Sequence, residues 1–221
     1  MEQFLARLTL FKRLSPVERR QLLRVGRETR YAKGDTIFRA GDPAEAVCVV
    51  KEGRVHLMTF LESGHASTTC VMTAGETFCC LPALDRQPYP VDAVAAVDSV
   101  ILRIPTGAFH ELLEKNPAFL RDSLCVFCDR LRQVEHNSCM IYASVTTRLA
   151  QALLTLSKKF GSTIPLTRQE LAEIAGTTHE TAIRTLSQFK RQGLIRSVRG
   201  HTTILNSEGL HALLTSRRHP S

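Results

Sequence analysis

Glu180 and Arg184 stand four residues apart in the segment 166–191, LTRQELAEIAGTTHETAIRTLSQFKR. On a helix, residues i and i+4 share one face. From that face an arginine can donate two hydrogen bonds to O6 and N7 of guanine, and a glutamate can accept from N4 of cytosine. The pair carries the chemistry to read a G·C base pair; an intrahelical ion pair on a solvated face is the plain alternative. Sulfur offers a second chemistry. Cys125 and Cys128 form a C-x2-C, neighbours at i and i+3 on a helix. Soft ligands at that spacing suit zinc, an iron–sulfur cluster or a redox pair. No second pair converges on them, so free thiols are the expected state.

The elements that must hold Glu180 and Arg184 are legible around them. Thr167 caps a short helix, with Glu170 three residues on at capping-box spacing. Gly176 breaks that helix, since glycine enters a left-handed turn without a Cβ penalty. Thr177 or Thr178 caps a second helix running to about Gln192. Leu171, Ile174 and Ala175 make one apolar face, and Ala182, Leu186 and Phe189 the other. Two helices about a glycine turn, the second polar and partly basic outside, form a helix-turn-helix pattern. Behind it, LIRSVRGHTTILN reads as two strands turning at Arg199-Gly200, a β-hairpin wing. Charge agrees: from Ser144 onward the chain carries 11 of its 29 Lys/Arg but only 4 of its 21 Asp/Glu, so +7 of the formal +8 lies there. Such concentration is the footprint of a polyanionic partner.

The preceding chain reads as support. Residues 2–29 look helical, with Leu5, Leu8, Phe11 and Leu14 at helical spacing and Ser15-Pro16 opening a second helix. From Thr29 to about Pro105, short apolar runs alternate with turn signals such as Lys33-Gly34-Asp35 and Gly41-Asp42-Pro43. Many short strands indicate an antiparallel sandwich or barrel. Asn116-Pro117 then opens a long helix with a narrow seven-residue apolar repeat. Leu124, Phe127, Leu131, Val134 and Ile141 form a seam suited to a second copy of the chain; packing on the chain's own strands is the alternative. There is no signal-peptide pattern and no apolar run near the ~18 residues of a membrane span, so a cytoplasmic protein without a membrane partner is expected. His-x-His is absent, which argues against a cupin-like metal enzyme; no enzymatic activity is expected.

The order of β-roll, long helix and winged helix-turn-helix resembles the transcription regulators related to the cyclic-AMP receptor protein and the fumarate–nitrate regulator, the CRP/FNR family. The match runs from about Leu8 to Leu214. It rests on KGDTIFRAGDPAEAVCVVKEGRVHL, TTRLAQALLTL, LTRQELAEIAGTTHETAIRTL, and GLI with the wing. The cyclic-AMP receptor is itself a known helix-turn-helix protein.

The resemblance implies an α+β chain in three parts: a β-roll sensor with N-terminal helices over 1–115, a dimerisation helix over 116–144, and a winged helix-turn-helix over 145–221. It implies a homodimer on double-stranded DNA with an inverted-repeat site, working with RNA polymerase. Glu180 and Arg184 match the family's base readers, and His179 a neighbouring base-facing position. Thr167, Arg168, Thr178, His201 and Thr202 match phosphate-contacting positions.

It also implies an effector in the β-roll, at Gly75, Glu76, Cys79 and Tyr89. Cyclic-AMP-binding members hold the ribose with a Gly-Glu pair, matched by Gly75 and Glu76, and the phosphate with an arginine. Here Pro88-Tyr89-Pro90-Val91-Asp92 replaces the second part. A cyclic phosphate would lack its charge-assisted fork and face Asp92, so cyclic AMP is not expected. The first 47 residues hold no cysteine, unlike the iron–sulfur members. Haem-binding members that sense carbon monoxide carry a cysteine where Cys79 stands, but their nearby histidine falls at Leu81. A haem-based gas sensor and a cysteine-based redox or metal sensor using Cys79, Cys125 or Cys128 stay open beside an effector of other chemistry.

Overall fold

The computed structural model describes residues 1–60, 66–138 and 142–215. The chain forms two compact units, Met1–Phe60 with Thr69–Val134, and Leu61–Thr68 with Glu135–Ser221.

The first unit begins with α1 (Glu2–Arg7) and α2 (Pro16–Val25). Ser15 and Glu18 close a full capping box on α2, with Pro16 at its first position, where a missing N–H costs nothing. The helical expectation for 2–29 is corrected at its end: Arg27–Tyr31 is a strand, β1. Its Arg, Glu, Thr, Arg, Tyr pair residue by residue with 103 down to 99 of β8 (Ser99–Pro105), and this cross-strand partner overrides the helical spacing upstream.

Between them lie β2 (Thr36–Phe38), β3 (Ala46–Glu52), β4 (Arg54–Phe60), β5 (Ala66–Thr73), β6 (Thr77–Phe78), α3 (Cys80–Asp85) and β7 (Asp92–Ala95). Two four-stranded sheets result, ordered β1-β8-β3-β6 and β2-β7-β4-β5. β3 reads as an unbroken apolar run because both its faces are covered. Val47 and Val49 join Leu102 and Ile104 against Leu5, Phe11 and Phe109 on the helical side. Cys48 and Val50 join Ile101, Phe38, Phe78 and Tyr89 in the core between the sheets. Gly53 turns β3 into β4 with φ +90°; a Cβ there would meet the Ser99 hydroxyl at 2.3 Å and the Asp98 carbonyl at 2.5 Å, so no side chain fits.

α4 (Thr106–Lys115) leads into α5 (Pro117–Ser138), which opens at Asn116-Pro117 as its sequence requires. The Asn116 side chain accepts from Phe119 N (3.0 Å) and donates to Glu18 (2.8 Å), pinning the helix start to α2. On the seam, Leu124, Leu131 and Val134 are more than half exposed, whereas Phe127 packs partly against the core beneath the helix. Phe127 is therefore divided between the chain's own core and the proposed seam. Ile141 lies outside the described residues.

The second unit holds α6 (Val145–Phe160), β9 (Thr163–Ile164), α7 (Arg168–Ile174), α8 (His179–Arg191), β10 (Ile195–Val198), β11 (His201–Ile204) and α9 (Ser207–Thr215). Its core draws Leu149 and Leu153 from α6, Leu171 from α7, and Leu186 and Phe189 from α8, all nearly or fully buried. The expected wing is present as β10–β11, and β9 adds a third strand through Thr202↔Ile164. A two-residue strand carries too little pattern to be read in advance. Among the described residues no helix is long and apolar enough to cross a membrane.

Candidate nucleic-acid interface

Each end of the α7–α8 pair is fixed by a local device. At α7, Thr167 Oγ1 accepts from Glu170 N (3.2 Å) while Glu170 Oε2 accepts from Thr167 N (2.7 Å), so two otherwise orphaned amides are satisfied reciprocally. Gly176 makes the turn at φ +59°. Thr178 caps α8, its hydroxyl accepting from Thr181 N at 3.3 Å. Thr167, Arg168, Thr178 and His179 are all exposed along this edge.

Arg148 on α6 was not singled out by its sequence, yet it holds the turn. Its Nε donates to Ala175 O (2.8 Å), its Nη2 to Gly176 O (3.0 Å) and its Nη1 to Ala143 O (3.1 Å). The carbonyls of Ala175 and Gly176 end α7, where the helix presents partial negative charge and unsatisfied acceptors. The available signal was a cation in the first turn of α6, at the third position of TTRLAQALLTL.

Ala182, Leu186 and Phe189 turn inward from α8, and Glu180, Arg184, Gln188 and Arg191 are exposed. No ion pair joins Glu180 to Arg184 among the described residues, so the plain alternative for this pair is not what forms. The Glu180 carboxyl is held below its usual range, first by the backbone N–H at the start of α8, then by Thr178, with the His179 charge adding to the effect. The position therefore stays an ionised acceptor. On the wing, His201 is exposed, but Thr202 is only 1% exposed. Thr202 corrects the sequence reading: paired to Ser197 on one side and Ile164 on the other, its side chain faces inward and cannot reach a phosphate. Arg196 and Arg199, passed over in the sequence, are the exposed cations of the wing.

The effector residues are placed differently. Gly75, at φ +91°, and Glu76 make the β5–β6 turn, where Glu76 Oε2 accepts from Thr73 N (2.7 Å) and Thr73 Oγ1 (2.8 Å). Tyr89 is buried between the sheets, stacked on Phe38 at 3.8 Å; its hydroxyl donates to Ala46 O (2.9 Å) and accepts from Ala46 N (3.2 Å). Asp92 accepts from Ala40 N at 2.7 Å. Cys79 is buried in the same core as Tyr89 and Phe78, so a haem on its sulfur would require that core to open; the packing there does not fit one. Cys125 and Cys128 are exposed free thiols on α5, and among the described residues no group of three or more His, Cys, Asp or Glu could hold a metal ion.

Residues 28–116 match the cyclic nucleotide-binding domain family and residues 147–213 the Crp-like helix-turn-helix domain. The chain belongs to the CRP/FNR family of transcription regulators. It is 25% identical over 219 residues to the CRP-like cAMP-activated global transcriptional regulator of Mycobacterium tuberculosis, covering 95% of this chain and 98% of that one. Among solved structures it is similar to a CRP/FNR-family transcriptional regulator from Thermus thermophilus, with a TM-score of 0.66, 27% identity, and 86% and 100% of the two chains covered. FixK2 from Bradyrhizobium japonicum shares the fold, with a TM-score of 0.78 at 22% identity over 86% of this chain and 97% of that one. As a CRP/FNR regulator the chain carries a DNA-binding helix-turn-helix and is not an enzyme.

Proposed function

We propose that the chain acts as a homodimer, paired through Leu124, Leu131 and Val134 with Phe127 contributing in part, and reads an inverted-repeat DNA site. The family's domain plan supports a sensor over 1–115, a dimer helix over 116–144 and a reader over 145–221. Glu180 and Arg184 make the base contacts, and His179 adjusts the preference at the neighbouring position. Thr167, Arg168, Thr178 and His201 set the register on the phosphates, joined by Arg196 and Arg199 of the wing. The carrying observation is that Glu180 and Arg184 are exposed, face the same way and form no ion pair with each other, on a helix fixed at its start by Thr178 and Arg148. RNA polymerase is the downstream partner.

The signal is an effector bound in the β-roll, of a chemistry other than cyclic AMP. Tyr89 and Asp92 support this, since both are committed to backbone groups in the region where an anion would need cations. Footprinting on operator fragments selected from random DNA tests the reading. Two protected half-sites about one helical turn apart are expected; protection of a single half-site would remove the dimer. An absorption spectrum of the purified protein without a Soret band is the matching expectation for the sensor.

A further inference from the structure

A hollow of about 500 Å³ opens at one end of the sandwich, lined by β1, the start of β3 and β8. Its walls include Arg27, Thr29, Tyr31, Glu45 and Arg103. None of the effector residues expected from sequence lines it. The register explains why these residues meet. Arg27 is the cross-strand partner of Arg103, and Thr29 of Ile101, so 27, 29 and 31 share the face of 101 and 103. Ile101 belongs to the core between the sheets, which makes this face the inner one.

Two arginines directly opposed across a strand pair repel each other. No salt bridge relieves either of them among the described residues. Arg103 is half-buried, and its Nη1 donates to Tyr31 Oη (3.2 Å) and to Ile37 O on the opposite sheet (3.3 Å). Neither partner is a carboxylate. Burial pushes the neighbouring Cys48 thiol and Tyr89 phenol up to about 12 each, so neither supplies a negative charge. With Nη1 doubly anchored, the plane of the guanidinium is fixed. Its Nε–Nη2 edge, the fork that grips a carboxylate or phosphate with two parallel bonds, has no acceptor among the described residues.

We propose that this hollow is a binding site for a small organic anion, a phosphate ester or carboxylate, gripped by the free fork of Arg103 and by Arg27, with the Thr29 and Tyr31 hydroxyls beside it. Glu45 lines the hollow without pairing to either arginine. It accepts from a hydroxyl or ammonium group elsewhere on the same ligand and disfavours a polyanion. The site stands on its own geometry; its role as the effector site rests on the regulator reading above.

Calorimetric titration of the full chain with glycerol 3-phosphate and with inorganic phosphate, at matched ionic strength in sodium chloride, tests it. Binding is expected in the unmodified chain and at least tenfold weaker in Arg27→Gln and in Arg103→Gln. Arg103→Gln also removes a tie between the sheets, so the exposed Arg27→Gln carries the test if the other variant fails to fold. Equal affinity in Arg27→Gln and the unmodified chain would overturn the site, as would the absence of binding by both probes. Operator titrations with and without glycerol 3-phosphate separate the two claims. A ligand-dependent change in DNA affinity, lost in Arg27→Gln, supports the effector role. Arginine-dependent anion binding that leaves DNA affinity unchanged keeps the site and overturns that role.

Discussion

On α8, Glu180 and Arg184 are exposed and not joined in an ion pair; in the β-roll, Glu76, Tyr89 and Asp92 direct their polar groups at nearby backbone. By sequence, Glu180 and Arg184 match base-reading positions and Glu76 a ribose-holding one, whereas Tyr89 and Asp92 belong to the segment that replaces the family's phosphate-holding arginine. Among the described residues Arg184 makes no hydrogen bond or ion pair, on a helix whose packing face is largely apolar, while the exposed Glu180 carboxylate also accepts from the start of α8 and from Thr178. A sensor interior must be both core and pocket. In this chain Tyr89 is core, Glu76 and Asp92 are half-buried and bonded to nearby backbone, and two arginines without an ion pair among the described residues, Arg27 and Arg103, line the hollow beside β1 and β8.

That contrast can be broken most directly at Tyr89. Tyr89→Ala removes a fully buried ring stacked on Phe38 and leaves the Ala46 amide and carbonyl without their partner. It should cost about 3–5 kcal/mol in denaturant unfolding. Unchanged stability with an altered DNA response would instead make Tyr89 a ligand contact. Arg148→Ala comes next. Losing three bonds from a charged donor to the carbonyls of Ala143, Ala175 and Gly176 should destabilise the second unit by about 1.5–3 kcal/mol, and specific DNA affinity should fall with it.

Arg184→Ala should separate those two quantities. Specific binding should weaken by about 1–3 kcal/mol with preference relaxed at one base pair, while the unfolding midpoint stays in place because the side chain is exposed. A gel-shift series with unchanged preference would refute its role. Thr167→Ala should cost about 1 kcal/mol of stability through the lost cap, checked by thermal unfolding. The smallest effect concerns Glu180. Its folded-state pKa is lowered, so the associated stabilisation is present above the unfolded value and is lost only as pH falls through the folded one. An NMR titration should place the carboxyl midpoint below 4.5; a midpoint above it would mean the cap does not favour the ionised form.

The parts legible in the sequence are those that local physics decides. Thr167 with Glu170, Gly176, and the periodicity of Ala182, Leu186 and Phe189 specify the helix pair within a few turns of chain, and each behaves in the structure as its chemistry requires. Asn116-Pro117 fixes the start of α5 for the same reason. What was not legible depends on partners far along the chain. β1 exists because Ser99–Pro105 pairs with it, some seventy residues away. Thr202 turns inward because β9, a strand of two residues, completes its sheet. Arg148 finds the α7 carbonyls 27 and 28 residues on. Phe127 fits a seam by period alone, and only the core beneath α5 reveals its second allegiance.

Bonds of Arg148 reach in two directions along the chain, back to Ala143 and forward to Ala175 and Gly176. A planar guanidinium with all three nitrogens engaged has little freedom to let one side go without the other. The segment entering α6 and the turn between α7 and α8 are thus geared together. One side chain therefore ties Ala143, ahead of α6, to the two carbonyls that precede α8.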